Sequence, residues 1–355
     1  MRRKPKKQGG FVLVATLWFL ATITIVAAYF ADRVGKSVES AVQSQRMAEG
    51  LVEMANTRAE AVFHFATDGF SQWGLGADPR TAIALDDRPY RGGGTDIIRL
   101  QDNRGLLNLN FPDLFLLGQL LTSYGVPPAK HPALADALAD YIDIDNLRRL
   151  NGAEGPEYEA AKLLPPANEW LYSPHQLKSV YGWHDLDNLW NDGRFMPLLT
   201  TSRIVGFNPN TAPREILIAL AGKANKPLAE EILLLRKSNP VLAAEKALAL
   251  VRALALDSDS VSIFPSNSVR MTQQSDAVPW ALEINLTLTP MLESSPWHSD
   301  YYAKTRVKAR ASDEIAAPPR LPELFVPASG ADAAGTAATS PVPAGSRQTV
   351  PPSRR

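Results

Sequence analysis

Gly9-Gly-Phe-Val-Leu-Val-Ala-Thr-Leu-Trp-Phe-Leu-Ala-Thr-Ile-Thr-Ile-Val-Ala-Ala-Tyr-Phe-Ala-Asp32 is the stretch that orders the rest of this 355-residue chain. From Phe11 to Ala31 it runs 21 residues without a charge. As a helix rising ~1.5 Å per residue, that run reaches roughly 30 Å, the thickness of a bilayer core. Residues 11–31 are therefore expected to span a membrane once. The preceding residues, 1–10, hold Arg2, Arg3, Lys4, Lys6 and Lys7 and no acid. Such a cluster stays on the cytoplasmic side, which sends everything after Asp32 to the far side. A cleaved secretory signal has a shorter apolar region, ~7–15 residues. Here the helical pattern continues past Asp32 through Val34, Val38, Ala41, Ala48, Val52, Ala55, Ala59 and Val62, so residues 32–67 are expected to prolong the same helix.

The junction of basic leader, Gly9-Gly10 and Phe11 resembles the type III signal of prepilins and pseudopilins. That resemblance implies cleavage by a membrane prepilin peptidase between Gly10 and Phe11, followed by methylation of the new amino terminus. Pilins of this kind carry Glu at the fifth mature position, where it neutralises a neighbour's amino terminus; here that position is Ala15. An unpaired ammonium inside an apolar bundle is costly, so a subunit without the acid is suited to being first in a filament rather than docking beneath another.

The composition permits one large or two modest cores: 45% of residues are hydrophobic and 21% charged. Lys plus Arg number 37 and Asp plus Glu number 37, so no overall field favours nucleic acid or an anionic membrane. The absence of cysteine removes disulfides, thiol catalysis and thiolate metal sites. Residues 68–94 are rich in Gly, Pro and Asp and read as loop with short elements. Asp96 to Asp102 reads as a strand. Helical spacing follows in Leu114–Leu121, Ala133–Tyr141, Pro213–Leu220, Leu228–Leu235 and Val241–Leu256. Strands return where Leu282, Ile284, Leu286 and Leu288 alternate with Glu283, Asn285, Thr287 and Thr289, a sheet with one wet face. Ala303 to Ala311 alternates likewise, and Val269 to Gln273 is a further candidate. The basic positions Lys304, Arg306, Lys308 and Arg310 read as a solvated edge. The fold class is α+β: a long N-terminal helix on a small antiparallel sheet from residues 68–104 and 261–312, with an inserted all-α domain over 105–260. From Ala316 to Arg355 the Pro, Ala, Ser and Gly content predicts a disordered tail.

Two segments, Gly105-Leu-Leu-Asn108-Leu-Asn110 and Gly206-Phe-Asn208-Pro-Asn210-Thr-Ala-Pro213, each set an Asn-x-Asn turn ahead of a helix, where the amides are expected to satisfy orphan backbone groups. Between them stand Asp140-Tyr-Ile-Asp143-Ile-Asp145, Asn151-Gly-Ala-Glu154, Tyr158, Ala167-Asn168-Glu169 and Ser173-Pro-His-Gln-Leu177. This order resembles the K-type minor pseudopilin of the type II (general) secretion system, over about residues 9–312. Tyr141 stands where the family has Trp, and the usual proline is missing from Leu147 to Leu150. The resemblance implies a pseudopilin fold in a single-pass inner-membrane protein with a periplasmic body, at the tip of a pseudopilus. It further implies I- and J-type minor pseudopilins, the major pseudopilin, the prepilin peptidase and the inner-membrane secretion platform as partners, and no nucleic acid.

Asp140, Asp143, Asp145, Asn151 and Glu154 place four carboxylates and an amide within fifteen residues. Hard oxygen donors at that density suit calcium, and the family is known to hold calcium in this domain. The loop is no EF-hand, since Arg148 stands where that motif needs Gly. The alternative is a salt-bridged turn in which Asp140 and Asp143 pair with Arg148 and Arg149. No catalytic framework emerges: His64, His131, His175, His184 and His298 lack ligand spacing, and Asp143 with Glu154 as an acid–base pair has no supporting motif. His175 reads as a surface residue, and Gly92-Gly-Gly94 as a turn rather than a phosphate cradle. A second functional reading is a membrane-anchored periplasmic DNA-binding or adhesin-type receptor of a type IV pilus or competence system. Asn208 to Pro213 resembles the start of a helix-hairpin-helix unit, but residues 221–226 hold one glycine where that hairpin needs two.

Overall fold

The computed structural model describes residues 10–254, 261–293, 295–306 and 319–322. The basic leader before Gly10, the expected strand residues after Arg306 and the tail beyond Pro322 lie outside the described residues. The chain opens with α1, Gly10–Thr67, a single helix of 58 residues. Its apolar window, of mean hydropathy 2.4, is wholly exposed within the chain, and it is long and apolar enough to cross a membrane. Only the last third of α1 packs on the body. Met54, Thr57, Ala61, His64 and Phe65 recur every three or four residues and are all buried, so one stripe faces inward.

That stripe lies against an antiparallel sheet of five strands: β3 (Asp86–Arg91), β4 (Ile97–Asp102), β7 (Ser268–Gln274), β8 (Trp280–Leu288) and β9 (Trp297–Arg306), neighbours in that order. Ala61 and Phe65 meet Ile98, Leu100, Val269, Met271 and Leu286 in one core. A small hairpin, β1 (Phe70–Ser71) with β2 (Gly74–Leu75), follows α1 and adds Leu75 to the same core. The α+β class is as expected, but the supposed loop before β4 contains β3. Pro89 hides it: proline cannot donate to a ladder, and β3 tolerates it because it is the edge strand, bulged between Asp86 and Pro89.

Between β4 and β7 the chain leaves the sheet to build a mainly helical insertion with its own core. It comprises β5 (Leu107–Asn108) parallel to β6 (Leu199–Thr200), and helices α2 (Leu114–Ser123), α3 (His131–Ile142), α4 (Gly155–Ala160), α5 (Asp187–Trp190), α6 (Arg214–Ala221), α7 (Lys226–Leu235) and α8 (Pro240–Ala253). Tyr158, Leu177, Trp183 and Phe195 are fully buried in its core, which is distinct from the core under α1.

The face of β8 that alternation marks as wet is largely covered: Glu283, Thr287 and Thr289 are half-buried and Asn285 is 2% exposed. Ser268 and Arg270 on β7 and Gln101 on β4 are buried too, because the inserted helices and their loops cover them. Arg270 donates to the carbonyls of Leu199 (3.2 Å) and Pro197 (2.7 Å), and Asn103 joins Ser268, Asn285 and Thr200 in one network. His175 is half-buried at this junction, 3.5 Å from Glu283, rather than on open surface. Burial alone would raise the pKa of Glu283, but His175, Arg270 and the Tyr301 hydroxyl hold it down to about 2.

The two Asn-x-Asn turns form the same local loop: Asn108 Oδ1 accepts from Asn110 N–H, and Asn208 Oδ1 from Asn210 N–H. Their amides do not cap the following helices as expected. Asn110 Nδ2 donates to the Leu171 and Thr201 carbonyls, and Asn208 Nδ2 to buried Asp102. Asp102 also accepts from Ser266 and Thr211, tying β4 to the segment before α6 and to the segment that leads into β7.

The expected tail is ordered at one point after Ala316. Arg320 forms a parallel bridge with Arg91, Leu321 is 6% exposed in the core under α1, and His64 Nε2 lies 3.0 Å from the Pro322 carbonyl. One large aliphatic side chain among prolines suffices because a preformed slot beside β3 receives it.

Candidate functional site

α3 runs out at Ile142, and the acidic loop begins inside its last turn. Asp140 is completely buried, and Asp143 is the C-cap residue, its N–H donating to Ala139 O. One nitrogen of Arg149, Nη1, donates to Asp140 Oδ1 at 2.6 Å and to Asp143 Oδ2 at 2.5 Å. The Arg149 main-chain N–H donates to Asp140 as well, at 3.2 and 3.3 Å. Arg148 points elsewhere, to Glu157 Oε1 at 2.9 Å. The salt-bridged turn thus exists, with Arg149 and not Arg148 closing it.

Glu154 precedes α4 and is 2% exposed. Both of its carboxylate oxygens are buried without a hydrogen-bond partner, as is Asp143 Oδ1. Burial raises the pKa of Glu154, and the nearby carboxylates of Asp140, Asp143, Asp145 and Glu157 raise it further. Asn168, held at φ 49°, closes the loop from the far side by donating to Asp145 O and Asn146 Oδ1. Its own Oδ1 is buried and unpartnered.

Of the five residues expected to bind calcium, Asp140, Asp143 and Glu154 come together. Asp145 accepts from Leu147 N–H at the exposed rim, and Asn151 turns away to Asp136. Among the described residues no three carboxylate or imidazole groups converge at metal-ligand spacing, the Arg149 guanidinium being interposed. As arranged, the loop is a salt-bridged turn and not a metal cage, although Glu154 Oε1 and Oε2, Asp143 Oδ1 and Asn168 Oδ1 are left buried without a partner. Asn168, which closes the loop onto Asp145 and Asn146, is the neighbour that spacing did not single out. Its signal in the sequence was weak, lying 14 residues from Glu154 across α4.

The other candidates resolve simply. Gly10 opens α1 and Phe11 is 80% exposed. The five histidines lie apart, beside Asp68, Val126, Glu283, Asp185 and Asp300 respectively. Gly92 to Gly94 form the turn between β3 and β4, packed on Thr57 and Glu53 of α1.

Residues 102–187, which open the helical domain and contain the whole acidic loop, match the family described as type II secretion system (T2SS), protein K. Among curated proteins no match is found. A chain in the crystal structure of the GspK-GspI-GspJ complex from the enterotoxigenic Escherichia coli type 2 secretion system is similar at 15% identity, covering 77% of this chain and 100% of that one, with a TM-score of 0.49. The segment that carries the acidic loop is thus similar, over residues 102–187, to the type II secretion system protein K family.

Proposed function

We propose that this chain is the tip subunit of a type II secretion pseudopilus, initiating and capping the filament that drives folded proteins across the outer membrane. The observation that carries the reading is the protein K match over residues 102–187, which falls on the domain inserted into the sheet of a stalked body. Two physical arguments support a terminal position. Ala15 offers no carboxylate to a neighbour's amino terminus, and the inserted domain is bulk that a stacked subunit would have to clear. Its partners in this reading are the I- and J-type minor pseudopilins, the subunits named with GspK in the similar complex, together with the major pseudopilin. Phe11 to Ala31 anchors the chain in the inner membrane, with the leader cytoplasmic and the body periplasmic. Prepilin peptidase removes the leader after Gly10, and Phe11 is methylated. The role is structural rather than enzymatic, and the turn that Arg149 closes on Asp140 and Asp143 braces the head. The DNA-receptor reading has less support: the family match is to a secretion component, and the chain carries no net charge.

The test is antibody-gold labelling of pseudopili from cells carrying an epitope-tagged chain, with mass spectrometry of its mature amino terminus. Label confined to one end and an N-methylated Phe11 are expected. Label along the shaft would remove the tip assignment, and a different first residue would remove the processing assignment.

A further inference from the structure

We propose that the cleft between β3 and the end of α7 is a binding site for an acidic peptide segment, with Arg236 and Lys237 taking a side-chain carboxylate and Asn210 supplying an acceptor for the segment's N–H. The tip reading makes no use of this face, and the site stands or falls apart from it.

The cleft is a cavity of about 450 Å³, within the size range of ligand sites. Its walls come from the β1–β2 turn at Trp73, from β3 at Asp86 and Arg88, and from the insertion at Asn210, Arg236 and Lys237. Charge there is unbalanced: Arg88, Arg236 and Lys237 line it, and Asp86 is the one carboxylate among its described lining residues. That carboxylate is already taken, because Arg88 Nε donates to Oδ1 and Nη2 to Oδ2, both at 2.7 Å. Arg236 stands 3.9 Å from it, beyond a hydrogen bond, with its side chain only 14% exposed. Its Nη1 donates to the Ala212 carbonyl at 2.6 Å, while Nε and Nη2 meet no acceptor at hydrogen-bond distance among the described residues. Burial pushes the Arg236 pKa down and the charge of Arg88 adds to that, against the pull of Asp86. Lys237 is exposed, and its ammonium has no carboxylate partner among the described residues. Asn210 lines the same cavity and is 8% exposed; its Nδ2 donates to the Ile263 carbonyl at 3.3 Å, and its Oδ1 is buried without a donor.

A ligand that answers both deficits brings negative charge and N–H groups together. Acidic peptide does so; a free inorganic anion brings no N–H, and a neutral peptide brings no charge. Trp73 and Pro79 give the cleft an apolar wall on which the methylenes of a glutamate side chain pack. The exposed lysine steers the segment in and is screened by salt, whereas the mostly buried arginine supplies most of the affinity. Because β3 belongs to the sheet and Arg236 and Lys237 follow α7, a bound segment ties the sheet to the insertion.

The test is calorimetric titration of the intact chain in detergent with acetylated, amidated tetraglutamate, with the matching tetraglutamine and sodium acetate as controls, for the unaltered chain, Arg236→Gln and Lys237→Gln. Tetraglutamate is expected to bind the unaltered chain and raise its melting temperature, tetraglutamine not to bind, and acetate to bind far more weakly. Arg236→Gln is expected to weaken tetraglutamate binding roughly tenfold or more, and Lys237→Gln roughly three- to fivefold. Added sodium chloride is expected to weaken binding to the unaltered chain. No binding of tetraglutamate at millimolar concentration, or equal binding of tetraglutamine, overturns the site. Acetate binding as tightly as the peptide reduces the cleft to a site for an ion only and overturns the peptide. An affinity unchanged in either variant puts the peptide elsewhere and overturns the assignment. If Arg236→Gln does not melt cooperatively, the exposed Lys237 decides alone, and an unchanged affinity in Lys237→Gln is then sufficient to overturn the proposal.

Discussion

Asp96 is a carboxyl group kept from water by the turn that presents it. It is fully buried between β3 and β4, where Gln273 Nε2 donates to Oδ2 at 3.2 Å and Oδ1 has no partner. Burial raises its pKa to about 6; the Glu53 carboxylate adds to that effect, while hydrogen bonds from Thr57 and Gln273 and the charge of Arg58 oppose it. The sign follows from linkage. The folded pKa lies above the unfolded value near 3.8, so the folded state prefers the protonated acid. The stability this group contributes is complete below the unfolded value and is lost as pH rises through about 6. Thermal melts of the intact chain in detergent are expected to show a loss of roughly 2 kcal/mol between pH 4 and pH 7.5 from this group. Asp96→Asn should remove that component of the profile. An Asp96→Asn profile superimposable on that of the unaltered chain would discard the assignment. The composition gives no hint of this residue: the strand from Asp96 to Asp102 was legible, but whether its first carboxylate meets water depends on α1, which lies far away in sequence.

At the scale of elements, the helices α2, α3, α6, α7 and α8 were readable because each buries one stripe at a spacing near 3.6, a property of local sequence. β3 was not, because Pro89 and two aspartates contradict strand propensity and only the edge position excuses them. The covered polar face was also illegible. Alternation in β8 reports which side chains are polar, not what covers them, and Arg270 and Asn285 are buried only because the inserted domain returns its carbonyls and amides to them. The acidic loop sits between these cases. Its carboxylates and both arginines were visible, but the choice of Arg149 over Arg148 depends on the turn that brings its main chain to Asp140. Gly105 tests the junction. A Cβ there would lie 2.7 Å from the Thr211 carbonyl and 2.9 Å from the Ala212 nitrogen, both main chain, whereas one at Gly93 meets nothing within 4 Å. Gly105→Ala is expected to cost about 2–3 kcal/mol in a urea melt, against a near-neutral Gly93→Ala. Equal effects would mean that β4 and the inserted domain are less closely joined than described.

Across the whole molecule, the body is closed by a residue assigned to the tail on composition. Leu321 fills the core under α1, and the Pro319 carbonyl and Leu321 N–H pair with Arg91. Composition alone gives no reason to place residues 319–322; they are placed because β3 offers its edge and α1 leaves a slot. Leu321→Ala is expected to destabilise the body by about 2–3 kcal/mol, and truncation after residue 318 by at least as much, while truncation after Pro322 leaves the melting temperature within a degree or two. A chain ending at residue 318 that melts with the unaltered protein would show that these contacts contribute nothing.

The helix that is long and apolar enough to cross a bilayer is the same one whose last turns sit among Ile98, Leu100 and Met271, with no linker between. At 58 residues it is a rod of about 87 Å. In the proposed tip role, a push or twist at its N-terminal end reaches the strands through one continuous helix, so a filament growing from below would lift the head instead of paying out a tether.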